Sequence, residues 1–171
     1  MTDKTNVVFV GFMGTGKSSA GRMLARKLKK TLWDVDQLIE NKEKRTIRQI
    51  FETEGEAYFR RVEKEAIQTI AREDNVVITT GGGAVLDSEN LRVLSEKGWI
   101  VALHASPETI FKRVKNSKKR PLLLGSDRMA EIRRLLEIRR PLYAKADFSI
   151  DTDGKNTAQV IQMILRAIKE K

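Results

Sequence analysis

The chain has no cysteine, few aromatic residues and no long apolar run, and each absence narrows what it can be. Without cysteine there is neither a disulfide framework nor a thiolate metal site. Aromatic residues make up 6% of the chain, too few to suggest a platform for stacking bases. The longest apolar stretches, such as Val7-Val8-Phe9-Val10, last a few residues, far short of a membrane span. Met1-Thr2-Asp3-Lys4-Thr5-Asn6 lacks a signal-peptide profile. No low-complexity tract, internal repeat or linker is visible. The expectation is a cytoplasmic protein with no membrane partner, its 171 residues forming one domain large enough to bury a core.

What is present in surplus is positive charge. Lysine and arginine number 33 against 23 aspartates and glutamates, a formal net charge of +10. Such a surplus suits nucleic acid, anionic lipid or small anionic substrates. The cations are scattered, with short runs only at Arg26-Lys27, Lys29-Lys30 and Lys118-Lys119-Arg120. Charge alone therefore favours anionic ligands weakly, and no nucleic-acid partner is expected.

Short apolar runs alternate with longer amphipathic ones, as in repeated strand–helix–strand units. Strands are expected over 6–10, 31–35, 76–80, 99–103 and 147–150. Apolar residues on both faces of these strands fit a parallel sheet covered by helices. Helices are expected over 17–28, 45–71, 129–143 and 157–169. The second carries Ile47, Phe51, Tyr58, Val62, Ala66 and Ile70 on one side, and the third groups Ile132, Leu135, Leu136 and Tyr143. Residues 115–127 have weak periodicity, several cations and Pro121, which reads as a surface loop or, over a nucleotide, as a lid.

Gly11-Phe12-Met13-Gly14-Thr15-Gly16-Lys17-Ser18 matches G-x-x-x-x-G-K-[ST] throughout, between a predicted strand and a predicted helix. The glycines let successive backbone N–H groups face phosphate oxygens, and the helix dipole adds to that field. Lys17 would reach the β- and γ-phosphates, and Ser18 would supply a Mg²⁺ ligand. This motif is the strongest signal in the chain. It points to nucleotide phosphate binding without identifying the acceptor.

Acceptor candidates gather at the ends of the predicted strands, where ligands of open α/β sheets bind. Asp34 and Asp36 close the second strand and, at alternate positions, could share a face. One could order the metal's water shell while the other accepts a hydroxyl proton. Equally, Asp36 could be a helix N-cap with Asp34 solvated. Arg60 lies opposite the apolar stripe of its helix, where a charged side chain is expected to be solvated, and Glu63 is close enough to orient it. Arg139 shares the stripe of Ile132, Leu135, Leu136 and Tyr143, so it needs an anionic partner: a ligand carboxylate or phosphate, or a protein carboxylate. Gly81-Gly82-Gly83 follows the third strand, either as a site of close backbone approach or as a plain turn. His104, the only histidine, is expected to be structural.

Taken together, these segments resemble the shikimate kinase family over nearly the whole chain. The resemblance rests on the loop 11–18, on Asp34-x-Asp36 with Ile39-Glu40, and on Ile50-Phe51 with Glu54-Gly55-Glu56. It extends to Phe59-Arg60-Arg61-x-Glu63, Thr80-Gly81-Gly82-Gly83, Arg120-Pro121-Leu122-Leu123 and Arg139-x-Pro141-Leu142-Tyr143. It implies a P-loop fold: a five-stranded parallel sheet in the nucleoside monophosphate kinase arrangement, with a lid at about 114–127. It also implies Mg-ATP-dependent phosphorylation of the shikimate 3-hydroxyl, in the synthesis of chorismate and aromatic amino acids, by a monomer.

The resemblance further implies roles. Asp36, Arg60, Gly81, Gly82, Gly83 and Arg139 would bind shikimate, the arginines facing its carboxylate and Asp36 its hydroxyls. Asp36 would also be the general base, and Glu63 would hold Arg60. Gly14, Thr15, Gly16, Lys17, Ser18 and Ser19 would cradle ATP, with Arg113 and Lys155 near the adenine. Ser18 and Asp34 would serve the metal. Lys17 and Arg120 would neutralise charge on the transferred phosphoryl, Arg120 once the lid closes. Two rivals remain: a gluconate or nucleotide kinase with another acceptor, and a P-loop regulator or nucleic-acid-binding protein.

Overall fold

The computed structural model describes residues 4–117, 125 and 127–171. Five strands, β1 (Asn6–Gly11), β2 (Thr31–Asp34), β3 (Val76–Thr79), β4 (Gly98–His104) and β5 (Phe148–Asp151), form one sheet in the order β2-β3-β1-β4-β5. Every neighbouring pair is parallel. All six residues of β1 are buried, which fits its central place, whereas edge strand β2 is partly exposed along its length.

Alternation along the strands feeds two cores on opposite faces. Val8, Val10, Ile78, Ile100 and Ala102 face one, and Val7, Phe9, Val77, Val101 and Leu103 face the other. The second core is closed by α1 (Lys17–Leu28) and α7 (Thr157–Lys169), through Ala20, Leu24, Val160, Ile161 and Ile164. The first is closed by α2 (Val35–Glu43), α3 (Ile47–Ile70), α4 (Ser88–Lys97), α5 (Pro107–Val114) and α6 (Arg128–Tyr143). A 3₁₀ turn, Ala84–Leu86, links β3 to α4. Among the described residues no helix is long and apolar enough to cross a membrane.

The five expected strands and four expected helices are present, with ends shifted by one or two residues. Helices α2, α4 and α5 were not anticipated. The expected 45–71 helix is interrupted: Gly55 sits at φ 83° and ψ 174°, outside helical geometry. A side chain added there would meet nothing within 4 Å, so the backbone angle, not crowding, calls for glycine. The second strand stops at Asp34, so Asp34 and Asp36 do not alternate along one extended segment. Asp34 is itself the N-cap of α2, accepting from the Gln37 N–H at 3.0 Å, and Asp36 lies in the first turn. Of the two readings of this pair, the one with Asp36 as cap is reversed, since the cap is Asp34.

Candidate active site

The phosphate loop is built before any ligand arrives. Gly11, Gly14 and Gly16 have φ of 140°, 76° and 95°, a region that costs other residues 1–2 kcal/mol or so. The N-cap of α1 is Gly16, which offers no side chain to the first-turn N–H groups, so those donors remain for an anion. Thr15 Oγ1 donates to the Phe12 carbonyl at 2.7 Å. Lys17, a buried cation, donates from Nζ to the Gly11 and Phe12 carbonyls at 2.7 and 2.9 Å, arched over the loop it would share with phosphate.

Gly14, Thr15, Gly16, Lys17, Ser18 and Ser19 line a cavity of about 460 Å³, and Asp34, Asp36, Gly81, Gly82, Arg113 and Lys155 line it too. The structure therefore brings the expected nucleotide residues into one space with part of the acceptor set. Arg113 Nη1 donates to the Gly14 carbonyl at 2.9 Å and to Thr152 Oγ1 at 3.4 Å, tying the loop to the segment before α7. Lys155 Nζ reaches the Asp153 carbonyl at 3.3 Å. Arg120 lies outside the described residues.

Arg60, Gly83 and Arg139 do not line that cavity; the glycine turn joins them to it. Each glycine leaves room for one charged group. A Cβ on Gly81 would stand 3.1 Å from both Asp36 Oδ1 and Glu63 Oε2. One on Gly82 would stand 3.5 Å from Arg139 Nη1 and 3.2 Å from the Met13 nitrogen of the phosphate loop. One on Gly83 would collide with the Arg60 guanidinium at 2.3–2.6 Å. The turn is thus packed closely against charged side chains of the protein itself.

Arg60 is not solvated as its helical phase suggested. Its Nη1 donates to Glu63 Oε1 at 2.9 Å and its Nη2 to Glu56 Oε1 at 3.2 Å, with 23% of the side chain exposed. The side of α3 buried after Gly55 runs through Phe59, Val62, Glu63, Ala66, Ile67 and Ile70, nearer to Arg60 than the expected stripe through Tyr58 and Val62. The Arg60–Glu63 pair matches expectation. Glu63 is 1% exposed, and burial pushes its carboxyl up, opposed by the charge and hydrogen bond of Arg60. Nearby Asp36 pushes it further up and Arg139 pulls it down. Glu63 Oε2 and Arg60 Nε are buried with no hydrogen-bond partner among the described residues, the state of a polar site built for a polar guest.

Arg139 is 2% exposed, on the inward face that its spacing suggested. Its guanidinium lies 5.7 Å from the centre of the Phe12 ring, and no protein carboxylate among the described residues forms an ion pair with it. Asp34 accepts from Thr79 Oγ1 at 2.9 Å as well as from Gln37. Its carboxylate keeps lone pairs for a metal's water shell, and Ser18 opens on the same cavity. These hard oxygen donors fit Mg²⁺, which needs few protein ligands when phosphates and water complete its shell. His104 is half-buried beside Ser149, outside this cavity, and burial then the charge of Arg140 hold its ring below the usual histidine range. Three partners escaped the sequence: Glu56 on Arg60, Thr79 on Asp34, and Tyr143, whose hydroxyl donates to the Gly82 carbonyl at 2.5 Å. Only Glu56 left a signal, standing four residues before Arg60 on a helix.

The strand order, with a glycine-rich loop between β1 and α1 and a pair of arginines at the glycine turn beside it, defines a P-loop phosphotransferase of the nucleoside monophosphate kinase arrangement. The family described as Shikimate kinase matches residues 13–169. Shikimate kinase of Caldicellulosiruptor saccharolyticus is 49% identical over 148 residues, 86% of each chain. That of Pelotomaculum thermopropionicum is 43% identical over 96% of each. The solved shikimate kinase from Acinetobacter baumannii in complex with shikimate superposes with a TM-score of 0.95 at 36% identity, covering 99% of this chain and 95% of that one. The chain belongs to the shikimate kinase family, a kinase family whose co-substrate is ATP.

Proposed function

We propose that this chain transfers the γ-phosphate of ATP to the 3-hydroxyl of shikimate, giving shikimate 3-phosphate and ADP. The observation that carries it is the arginine pair. Arg60 and Arg139 flank one glycine turn, each held by the protein, beside the phosphate loop. Two guanidiniums suit a small carboxylate, and Asp36 suits its hydroxyls.

The hydroxyl oxygen attacks the γ-phosphorus, the bond to the ADP oxygen breaks, and the hydroxyl proton passes to the Asp36 carboxylate. Little covalent chemistry is asked of the protein, so alignment and charge neutralisation dominate. The clamp supplies alignment. Lys17 supplies neutralisation, joined by Arg120 and the lid around 114–127, which enter on the family resemblance alone. Mg²⁺, held by Ser18 and through water by Asp34, would neutralise phosphate charge. Arg113 and Lys155 would pack near the adenine. The enzyme we propose is a single-domain, cytoplasmic monomer that serves chorismate and aromatic amino acid synthesis, with small molecules as its partners.

A coupled ADP-release assay with Mg-ATP and shikimate, gluconate or no acceptor tests this. Release should require shikimate. Arg139→Ala should raise the shikimate KM at least about tenfold while sparing that for ATP. Turnover of gluconate in place of shikimate would move the chain to another acceptor. Salt-sensitive nucleic-acid binding without shikimate turnover would refute the enzyme.

A further inference from the structure

Tyr143 ends α6 and is 1% exposed, packed in the core that α3 and α6 share. Packing alone would accept phenylalanine there, since only the hydroxyl distinguishes the two rings. That hydroxyl donates to the Gly82 carbonyl at 2.5 Å, joining helix to turn across 61 residues of chain. Tyr143 stands four residues after Arg139, so both side chains rise from one face of α6. Burial pushes the phenol up to about 12, so the hydroxyl keeps its proton to donate, and the nearby charge of Arg139 opposes that shift.

Gly82 has little freedom to move unnoticed. A Cβ placed on it would stand 3.2 Å from the Met13 nitrogen and 3.5 Å from both the Gly11 carbonyl oxygen and Arg139 Nη1. The turn is wedged between the phosphate loop and the arginine. A peptide rotation at Gly82 would therefore disturb the fit of the turn against the phosphate loop and against the guanidinium together.

We infer that Tyr143 is a positioning residue for the acceptor: its hydroxyl fixes the Gly82 carbonyl, and with it the turn that the Arg139 guanidinium lies against, so that turn and arginine meet the carboxylate as a unit. This rests on the function proposed above. Tyr143 touches neither reacting group; it acts through Arg139 and Gly82.

The test is Tyr143→Phe in the full chain, which keeps the ring and removes the oxygen. Shikimate and ATP are titrated separately in the ADP-release assay, with thermal unfolding followed in parallel. The shikimate KM should rise about five- to tenfold, as expected for losing one hydrogen bond that holds the turn in place, while the ATP KM stays within about twofold. Ile164→Val, in the core on the other face of the sheet, serves as a control for stability. An unchanged shikimate KM in Tyr143→Phe overturns the inference. So does a rise shared equally by ATP, or one reproduced by Ile164→Val, because either marks a merely structural role. Absence of shikimate-dependent release by the unmodified chain overturns the proposed function and this inference together; normal release with an indifferent Tyr143→Phe overturns the inference alone.

Discussion

Replacing Gly83 with alanine should separate the arginine clamp from the fold that carries it. The backbone at Gly83 (φ −97°, ψ 4°) suits an ordinary residue, so the added methyl brings no conformational strain. On that ground alone the variant should gain about 0.4–1 kcal/mol from a stiffer unfolded chain. The methyl would, however, stand 2.3 Å from Arg60 Nη2, whereas ordinary contact begins at 3.4 Å. The guanidinium must retreat by about 1 Å, which as the tip of a flexible side chain it can do without unfolding anything. That retreat disrupts the 2.9 Å bond to Glu63 and misplaces the donor we propose for the acceptor carboxylate. A charge-assisted hydrogen bond is worth about 1.5–3 kcal/mol. At about 1.4 kcal/mol per decade, the shikimate KM should rise about ten- to a hundredfold. The unfolding temperature should move by no more than a few degrees. The assay is ADP release with each substrate varied in turn, beside a thermal melt. A shikimate KM within about twofold of the unmodified chain would refute the reasoning, as would an equal rise in the ATP KM.

Two further outcomes are expected. Lys17→Ala should lower the rate of shikimate-dependent ADP release by about 10²–10³-fold, while calorimetric binding of shikimate without ATP persists; a loss below tenfold would remove Lys17 from charge neutralisation. Glu63→Gln should show a stability signature in pH. Burial raises the Glu63 carboxyl in the folded state, so the folded chain loses stability as pH climbs from the ordinary glutamate range to the raised value, and the loss is constant above it. The variant does not titrate there, so its unfolding temperature minus that of the unmodified chain should increase from about pH 4 upward. A difference that is flat or falls with pH would count against a raised Glu63.

The phosphate loop was fully legible because its function is local: eight consecutive residues carry both the glycine angles and the lysine. Arg139 was legible for a related reason, since α6 keeps one phase from Ile132 to Tyr143 and an arginine on that stripe stands out. Arg60 was misplaced because the buried side of α3 includes Glu63, which an apolar stripe leaves out and with which Arg60 pairs. The Asp34–Asp36 geometry failed because β2 has only four residues and the cap of α2 begins where the strand was expected to continue. Helices α2, α4 and α5 have eight to ten residues and bury two side chains each, too short a stretch for a period to emerge. Tyr143 and Thr79 act across 61 and 45 residues, and such partners exist only once the sheet has assembled.

The two cores described for the sheet have a consequence for descent. Every side chain assigned to the acceptor, Asp36, Arg60, Glu63 and Arg139, rises from the helices over one face. The helix that opens at the phosphate loop, and the segment that reaches from Lys155 into α7, belong to the other. Neighbouring substitutions interact, whereas those separated by a strand layer tend to add. A lineage could therefore rework what the enzyme phosphorylates, one face at a time, without relearning how to hold the phosphate donor.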